Sequence, residues 1–218
     1  MPPTLPGELT SVAFDDRYWS VRDQPLIYRH RVALEWCGRG PVLDIGCGDG
    51  LMLDLLTKKG VEAIGLDHSP IAAKKCREKN LRVYPSFAEL PIQNFRITLL
   101  MEVLEHLYDP GTMLDLVQSE YLIISVPNFC SLPARLQVLF GGVPENNKPR
   151  KGHVYWFTLD GLRSMIESHG YNVSEVRCNT QRGLNRLGKW FPSLFGLGFV
   201  VLCRRKNALP AEETKTAS

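Results

Sequence analysis

Residues 42–50 read VLDIGCGDG: an apolar run carrying one acid, Asp44, enters a loop with glycine at positions 46, 48 and 50. Alternate glycines let a backbone lie close against a neighbour, and such loops commonly cradle nucleotides. A dinucleotide fits poorly. Its fingerprint is GxGxxG, in which the third glycine allows a helix to pack on a strand. Here the spacing is GxGxG, and Leu51 stands where that third glycine belongs. Asp44 would also repel a pyrophosphate. A phosphate-free ligand with a positively charged end removes both objections. Seventeen residues beyond Gly50, Asp67 in AIGLDHS closes a second apolar run. A carboxylate there can accept two hydrogen bonds from a ribose diol.

A second constellation lies in MEVLEHL. If that segment is helical from Glu102 onward, Glu102, Glu105 and His106 fall at i, i+3 and i+4 on one face. Two carboxylates and an imidazole so placed can hold a divalent cation, and His153 in KGHVYWFT supplies another imidazole. Mixed oxygen and nitrogen ligands suit Mg²⁺ or Mn²⁺, and Zn²⁺ less well. The competing reading is purely structural. GxGxG would be a tight turn, Asp67 a helix cap, Leu104 and Leu107 core, His106 a base or turn cap, and His153 a hydrogen-bonding loop residue.

The elements that must position these residues alternate along the chain. A helix is expected over 25–37, a strand over 41–45, and a helix with Leu51, Met52, Leu55 and Leu56 on one face, stopped by Gly60. A strand at 62–67 precedes Ser69-Pro70, a cap and first-turn proline for a helix reaching Lys79. A weak strand at 81–84 follows, then strands at 96–101 and 121–126 flanking a helix over 110–118. Thr158 opens a helix whose Leu162, Met165 and Ile166 face inward and which Gly170 ends. Strands at 171–177 and 199–204 close the series. This alternation implies a parallel sheet with helices on both faces, and a ligand beyond the C-terminal strand ends near the switch in strand order. S-adenosylmethionine has a sulfonium, an ammonium and no phosphate, so it meets the demand the glycine loop sets.

VLDIGCGDG, IGLDHS, MEVLEHLYDP and ISVPNF, in this order, resemble a class I S-adenosylmethionine-dependent methyltransferase over about residues 25–206. The resemblance implies an α/β, Rossmann-like fold: a seven-stranded, mostly parallel sheet with helices on both faces and an antiparallel last strand. It places Asp44, Gly46, Cys47, Gly48 and Gly50 on the methionine and ribose side of the cofactor. Asp67 would take the ribose hydroxyls, with His68 beside it near the adenine, and Met101 would stand at the fourth strand end. Two departures concern the adenine end. Ser86-Phe87-Ala88-Glu89-Leu90-Pro91 stands where the family has an acid before Ala-x-x-Leu-Pro, so Ser86 would accept from adenine and Phe87 stack on it. Phe95-Arg96 replaces the usual Phe-Asp. The E-x-x-E-H cluster with a later His is similar to metal-dependent small-RNA 2′-O-methyltransferases, and a related cluster occurs in ubiquinone-pathway O-methyltransferases. By that resemblance Glu102, Glu105, His106 and His153 converge on a cation that grips the acceptor oxygen, and Glu102, His106 and His153 are the catalytic candidates. ISVPNF followed by SLPARLQVLFGG also resembles methionine-biosynthesis proteins of the same fold that work beside an acyltransferase, so a cofactor-binding but silent partner protein is the non-enzymatic rival.

Two segments interrupt the alternation, at 128–157 and 178–197. In the first, Leu132, Leu136, Val138 and Leu139 mark an amphipathic helix expected to roof an acceptor pocket with Tyr155, Trp156, Tyr18 and Trp19. At the second, Arg177 just before it and Arg182, Arg186 and Lys189 within it are interleaved with Trp190 and Phe191 and no acid. The net charge is only +3 over 218 residues, so the basic surface is thin. RNA is therefore the weaker alternative to a small-molecule or lipid- or sugar-linked acceptor. Six cysteines without a CxxC pair suit a reduced, cytoplasmic setting. The first residues lack the basic flank and apolar core of a leader, and 191–203 is too short and too broken by proline and glycine to span a bilayer. Residues 1–24 are expected to form an arm or lid, and 207–218 a disordered tail.

Overall fold

A computed structural model of the protein describes residues 19–21, 23–92, 94–148, 151–181 and 183–206. Strands β1 (Val42–Ile45), β2 (Ala63–Leu66) and β4 (Ile97–Met101) are buried at every residue, as the middle of a sheet covered on both faces requires. With β3 (Val83–Tyr84), β5 (Tyr121–Pro127), β6 (Tyr171–Thr180) and β7 (Gly196–Arg205) they form one seven-stranded sheet in the order β3-β2-β1-β4-β5-β7-β6. Strands β1 to β5 pair in parallel, and β7 is antiparallel to both β5 and β6. The strand order reverses between β1 and β4, which sets the crevice for a ligand at their C-terminal ends.

Period-two alternation sends successive side chains to opposite faces. Leu43, Ile45, Leu100, Leu122 and Ile124 enter one core with Phe157, Leu162 and Tyr171. Val42, Leu99, Met101 and Ile123 enter the other with Val32, Leu53 and Leu56. The second face is covered by helices α1 (Tyr28–Trp36) and α2 (Leu51–Lys58), the first by α4 (Pro110–Leu116) and α6 (Leu159–Ser168), which contribute Met113, Leu114, Leu162 and Ile166. Helix α3 (Pro70–Glu78) begins where expected: Pro70 is its first residue and Ser69 Oγ accepts from Ala72 N–H at 3.2 Å. Thr158 Oγ1 likewise accepts from Gly161 N–H at 3.0 Å to open α6.

The two interruptions are resolved differently. Residues 128–157 carry α5 (Leu132–Leu139), a 3-10 turn at Glu145–Asn147, and a bridge of Asn128 to Phe157 that returns the chain to its starting point. The second is shorter than the sequence suggests. Strand β6 runs on to Thr180 and β7 starts at Gly196, which leaves the short helices α7 (Asn185–Trp190) and α8 (Pro192–Phe195) between them. Breaks in register at Val173/Glu175 and Asn179/Thr180 bend this long edge strand. Tyr18, Arg182, the rest of residues 1–18 and the tail 207–218 lie outside the described residues. Among the described residues no helix is long and apolar enough to cross a membrane, and all six cysteines are free.

Tyr171 locks β6 to the end of α4. It is 1% exposed, and its hydroxyl hydrogen is shared between Val117 O at 3.1 Å and Ser119 O at 3.0 Å. Tyr171→Phe leaves both carbonyls unpaired in the core and is expected to lower stability by about 1–2 kcal/mol. Chemical denaturation should read this.

Candidate active site

The glycine loop leaves β1 with Gly46, Gly48 and Gly50 all at positive φ, +69°, +55° and +80°. Only glycine adopts that conformation without strain. The Cβ directions at all three are already filled by the protein. A Cβ on Gly46 would stand 2.7 Å from Val103 Cγ2, and one on Gly50 would meet Leu81 Cδ1 at 2.6 Å and Cys76 Sγ at 2.9 Å. A Cβ on Gly48 would overlap the Trp19 indole. The missing side chains thus serve internal packing, and the backbone is what the loop offers a ligand. Trp19, expected over the acceptor, instead lies on this loop.

Acids pin the loop in place. Asp67 Oδ2 accepts from Gly48 N–H at 2.8 Å and Oδ1 from Ser69 N–H at 2.9 Å, so one carboxylate joins the β1 loop to the start of α3. Asp49 is 2% exposed, receives Leu51 N–H and Gln24 N–H, and pairs with Lys79 at 3.4 Å. Nothing in the sequence marked Asp49 apart from its place between two glycines. The Cys47 thiol is turned inward, where a Cβ on Gly65 would stand 2.6 Å from its sulfur. Only the backbone of Cys47 can line the loop.

Asp44 sits in mid-sheet, in register with Gly65 on β2 and Leu99 on β4. Burial, and then the neighbouring Asp67 charge, push its carboxyl up from 3.8 to about 8. A cation placed beside it would favour the ionised form.

At the adenine end, Asp67 N–H donates to Tyr84 O at 3.0 Å, which brings the chain after β3 alongside the β2 terminus. Phe87–Glu89 form a 3-10 turn there. Ser86 Oγ donates to Glu89 Oε1 at 2.9 Å. That bond uses the hydroxyl hydrogen, so toward any other group the oxygen can only accept, and Glu89 brings a negative charge to a neighbourhood where the resembled family has an acid. Phe87 is partly buried against the core. His68 is half-buried, and Met101 is buried at the end of β4.

The helix expected from Glu102 onward does not form. Glu102 has φ +59°, a left-handed conformation at a non-glycine residue, and only Leu104–His106 coil, as a 3-10 turn. The helical face is therefore broken. Glu102 turns away to receive the Ser125 hydroxyl at 3.0 Å and to face Arg29 Nη1 at 3.7 Å. Glu105, His106 and His153 do come together, with one ligand atom from each lying within 4.8 Å of the others. The insertion delivers His153: Val154 and Tyr155 N–H both donate to Glu105 O, at 2.8 and 3.0 Å. The His106 and His153 rings meet edge to face with centroids 4.9 Å apart. Gly152 O stands 3.1 Å from His106 Nδ1, and a carbonyl can only accept, so Nδ1 carries a proton. The Glu105 side chain is 1% exposed and neither carboxylate oxygen has a hydrogen-bond partner. Burial, then the Glu102 charge, raises its carboxyl well above the usual range. Burial, then His106, lowers His153 to about 4.

Beside Glu102 opens a cavity of about 460 Å³ at the C-terminal ends of β4 and β5. The start of α1 contributes Arg29, β5 Ser125, the residue after that strand Asn128, α5 Gln137, and the loop after it Asn147 and Lys151. Tyr155, Trp156 and Trp19 are not among its walls. Because Val103 touches Gly46 and its neighbour Glu102 lines the cavity, this space adjoins the glycine loop.

The sequence pattern described as a methyltransferase domain matches residues 23–176. A probable S-adenosylmethionine-dependent methyltransferase of Mycolicibacterium smegmatis is 30% identical over 81% of this chain and 69% of its own length. The chain belongs to the S-adenosylmethionine-dependent methyltransferase family. A ubiquinone biosynthesis O-methyltransferase of Rhodopseudomonas palustris is 37% identical, but over 34% of this chain and 32% of its own length. The match thus spans about a third of that relative. Magnesium protoporphyrin IX methyltransferase from Synechocystis, solved with bound S-adenosylhomocysteine, superposes with a TM-score of 0.64 over 92% of this chain and 98% of its own, at 15% identity. That likeness is one of fold.

By the resemblance drawn from the sequence, the ligand's positive end is expected to meet Asp44. The sign of the linkage is fixed. An acid raised from 3.8 to about 8 makes the empty protein lose stability as pH climbs between those values. Cofactor cation reverses this by favouring the carboxylate, so S-adenosylmethionine should bind more tightly from pH 6 to 7.5 and release a proton. Asp44→Asn should flatten that slope and weaken binding about tenfold or more near pH 7.5. Calorimetry in two buffers of different ionisation enthalpy reads both effects.

Proposed function

We propose that the protein transfers the methyl group of S-adenosylmethionine to an oxygen of a small-molecule acceptor held in the cavity beside Glu102. The observation that carries the proposal is the adjoining of that cavity, about 460 Å³, to the glycine loop through Glu102 and Val103. The printed names of the ubiquinone biosynthesis O-methyltransferases support an oxygen acceptor. Transfer is a direct displacement. The acceptor oxygen attacks the methyl carbon, the carbon–sulfur bond breaks, and sulfur keeps the electron pair as a thioether. Alignment supplies most of the rate. Glu102, held by Ser125 and faced by Arg29, is placed at the cavity wall to take the acceptor's proton. The six free cysteines fit a reduced, cytoplasmic setting.

Glu105, His106 and His153 fit a divalent cation. A buried carboxylate with two unpartnered oxygens, beside two imidazoles, is costly without positive charge nearby. The His106 Nδ1–H bonded to a backbone carbonyl is the arrangement that fixes a ligating imidazole. Mg²⁺ or Mn²⁺ there would lower the pKa of a bound hydroxyl. Glu102 stays outside this set and keeps its role as base.

Two measurements test this. Glu102→Gln should cut kcat about 10²-fold or more in a homocysteine-release assay over an acceptor panel that includes RNA, with S-adenosylhomocysteine affinity retained. Protein stripped by chelator should lose activity and regain it with Mg²⁺ or Mn²⁺, and Glu105→Gln should abolish the recovery. Full activity in chelator removes the cation, and S-adenosylmethionine binding without turnover on any acceptor favours the silent partner.

A further inference from the structure

Helix α5 has its polarity reversed. On its inner side, Ala134 and Gln137 line the polar cavity. On its outer side and in the loop that follows, Leu136, Val138, Leu139, Phe140 and Val143 are 45%, 54%, 74%, 83% and 58% exposed. Five large apolar side chains within eight residues exceed the scattered exposure of an ordinary surface and mark a place of contact. The α7–α8 junction adds Trp190 at 81% and Phe191 at 58%. It is tied to the root of the same insertion, because Asn128 Nδ2 donates to Ser193 O at 2.9 Å and Gly196 O at 2.7 Å.

Within the two stretches that carry these apolar groups the charges have one sign. Residues 129–143 contain Arg135 and no acid, and residues 183–198 contain Arg186 and Lys189 and no acid. Arg135, Arg186 and Lys189 are all exposed. Exposed leucine, phenylalanine and tryptophan among cations, with acids excluded, is the composition of a surface that lies in the interface of an anionic bilayer. A protein partner for so apolar a face would equally accept acids at its rim. We propose that α5 and its following loop seat this protein peripherally on an anionic lipid surface, with the amide-lined cavity behind the rim facing the head-group layer. Long aliphatic and aromatic tips enter the boundary, and Arg135 meets the phosphates. A polar head carried by a membrane-held molecule then lies nearest the cavity. Docking itself does not require methyl transfer, so the two claims fail separately.

Vesicle sedimentation tests it with the full chain. The protein should pellet with vesicles of phosphatidylcholine and phosphatidylglycerol, and at least tenfold less with phosphatidylcholine alone. The double variant Leu139→Glu, Phe140→Glu should lose at least tenfold of the anionic-vesicle binding. Neither residue lines the cavity or touches the glycine loop, so its circular dichroism and S-adenosylhomocysteine affinity should match the parent protein. Failure of the parent to pellet, equal pelleting of the variant, or a dimer seen by light scattering that the same two substitutions dissolve would overturn the proposal. Those results with S-adenosylhomocysteine binding intact would leave the methyltransferase reading standing.

Discussion

One carboxylate holds the site together. Asp67 receives the amide hydrogens of Gly48 and Ser69, so the loop after β1 and the start of α3 share a single anchor at the end of β2. Charged acceptors make hydrogen bonds roughly twice as strong as neutral ones. The loop needs that strength, because three glycines at positive φ have no side chains with which to fix their own shape. Asp49 and the Cys76 thiol, which donates to Gly48 O at 3.2 Å, add lesser ties. Any ligand that bonds to Asp67 therefore touches the group on which the loop geometry rests, and binding and loop order become one event.

The fold was legible because its signals are local. Uniformly apolar β1, β2 and β4, the Ser69-Pro70 and Thr158 caps, and the stops at Gly60 and Gly170 each act within a few residues, and the structure has them in those places. The failures came where a local pattern met a tertiary demand. Glu102, Glu105 and His106 have helical spacing, yet Glu102 ends a buried parallel strand and turns to satisfy Ser125 and Arg29 in place of extending a helix. A left-handed glutamate has no sequence signature. Gly46, Gly48 and Gly50 let the backbone come close to its neighbours, and in their Cβ directions those neighbours are Val103, Trp19, Leu81 and Cys76. The spacing of glycines specifies how close something comes and is silent on what that something is.

Arg29, Asn128 and Asn147 were invisible for a different reason. Each is an unremarked polar residue whose role depends on what the fold sets beside it. Asn128 is 1% exposed and uses its amide hydrogens on Ser193 O and Gly196 O and its carbonyl on Cys130 N–H, at 2.9 Å for the last. A buried side-chain amide so fully used is stable only where it is, since removal would strand three backbone groups. It thereby fixes where the insertion leaves β5 and where β7 begins. Ser86 and Glu89 carry a clearer trace, because S-x-x-E is a recognised turn and helix-start spacing.

The cavity and the Glu105 cluster are built from chain segments that the sequence keeps about fifty residues apart, and the link between them is backbone. Glu105 O receives two amides from the far end of the insertion, and Gly152 O receives His106. These three bonds seat the strap 151–155 against the end of β4 without reference to its side chains. The strap can then change its residues, and hence the chemistry of the cavity it walls, while the register that brings His153 to Glu105 is preserved. In this division the sheet and the Asp67 clasp set where a methyl donor lies. The insertion sets what is presented to it, and its outward apolar face and inward amides follow from standing between the cavity and whatever the protein rests upon.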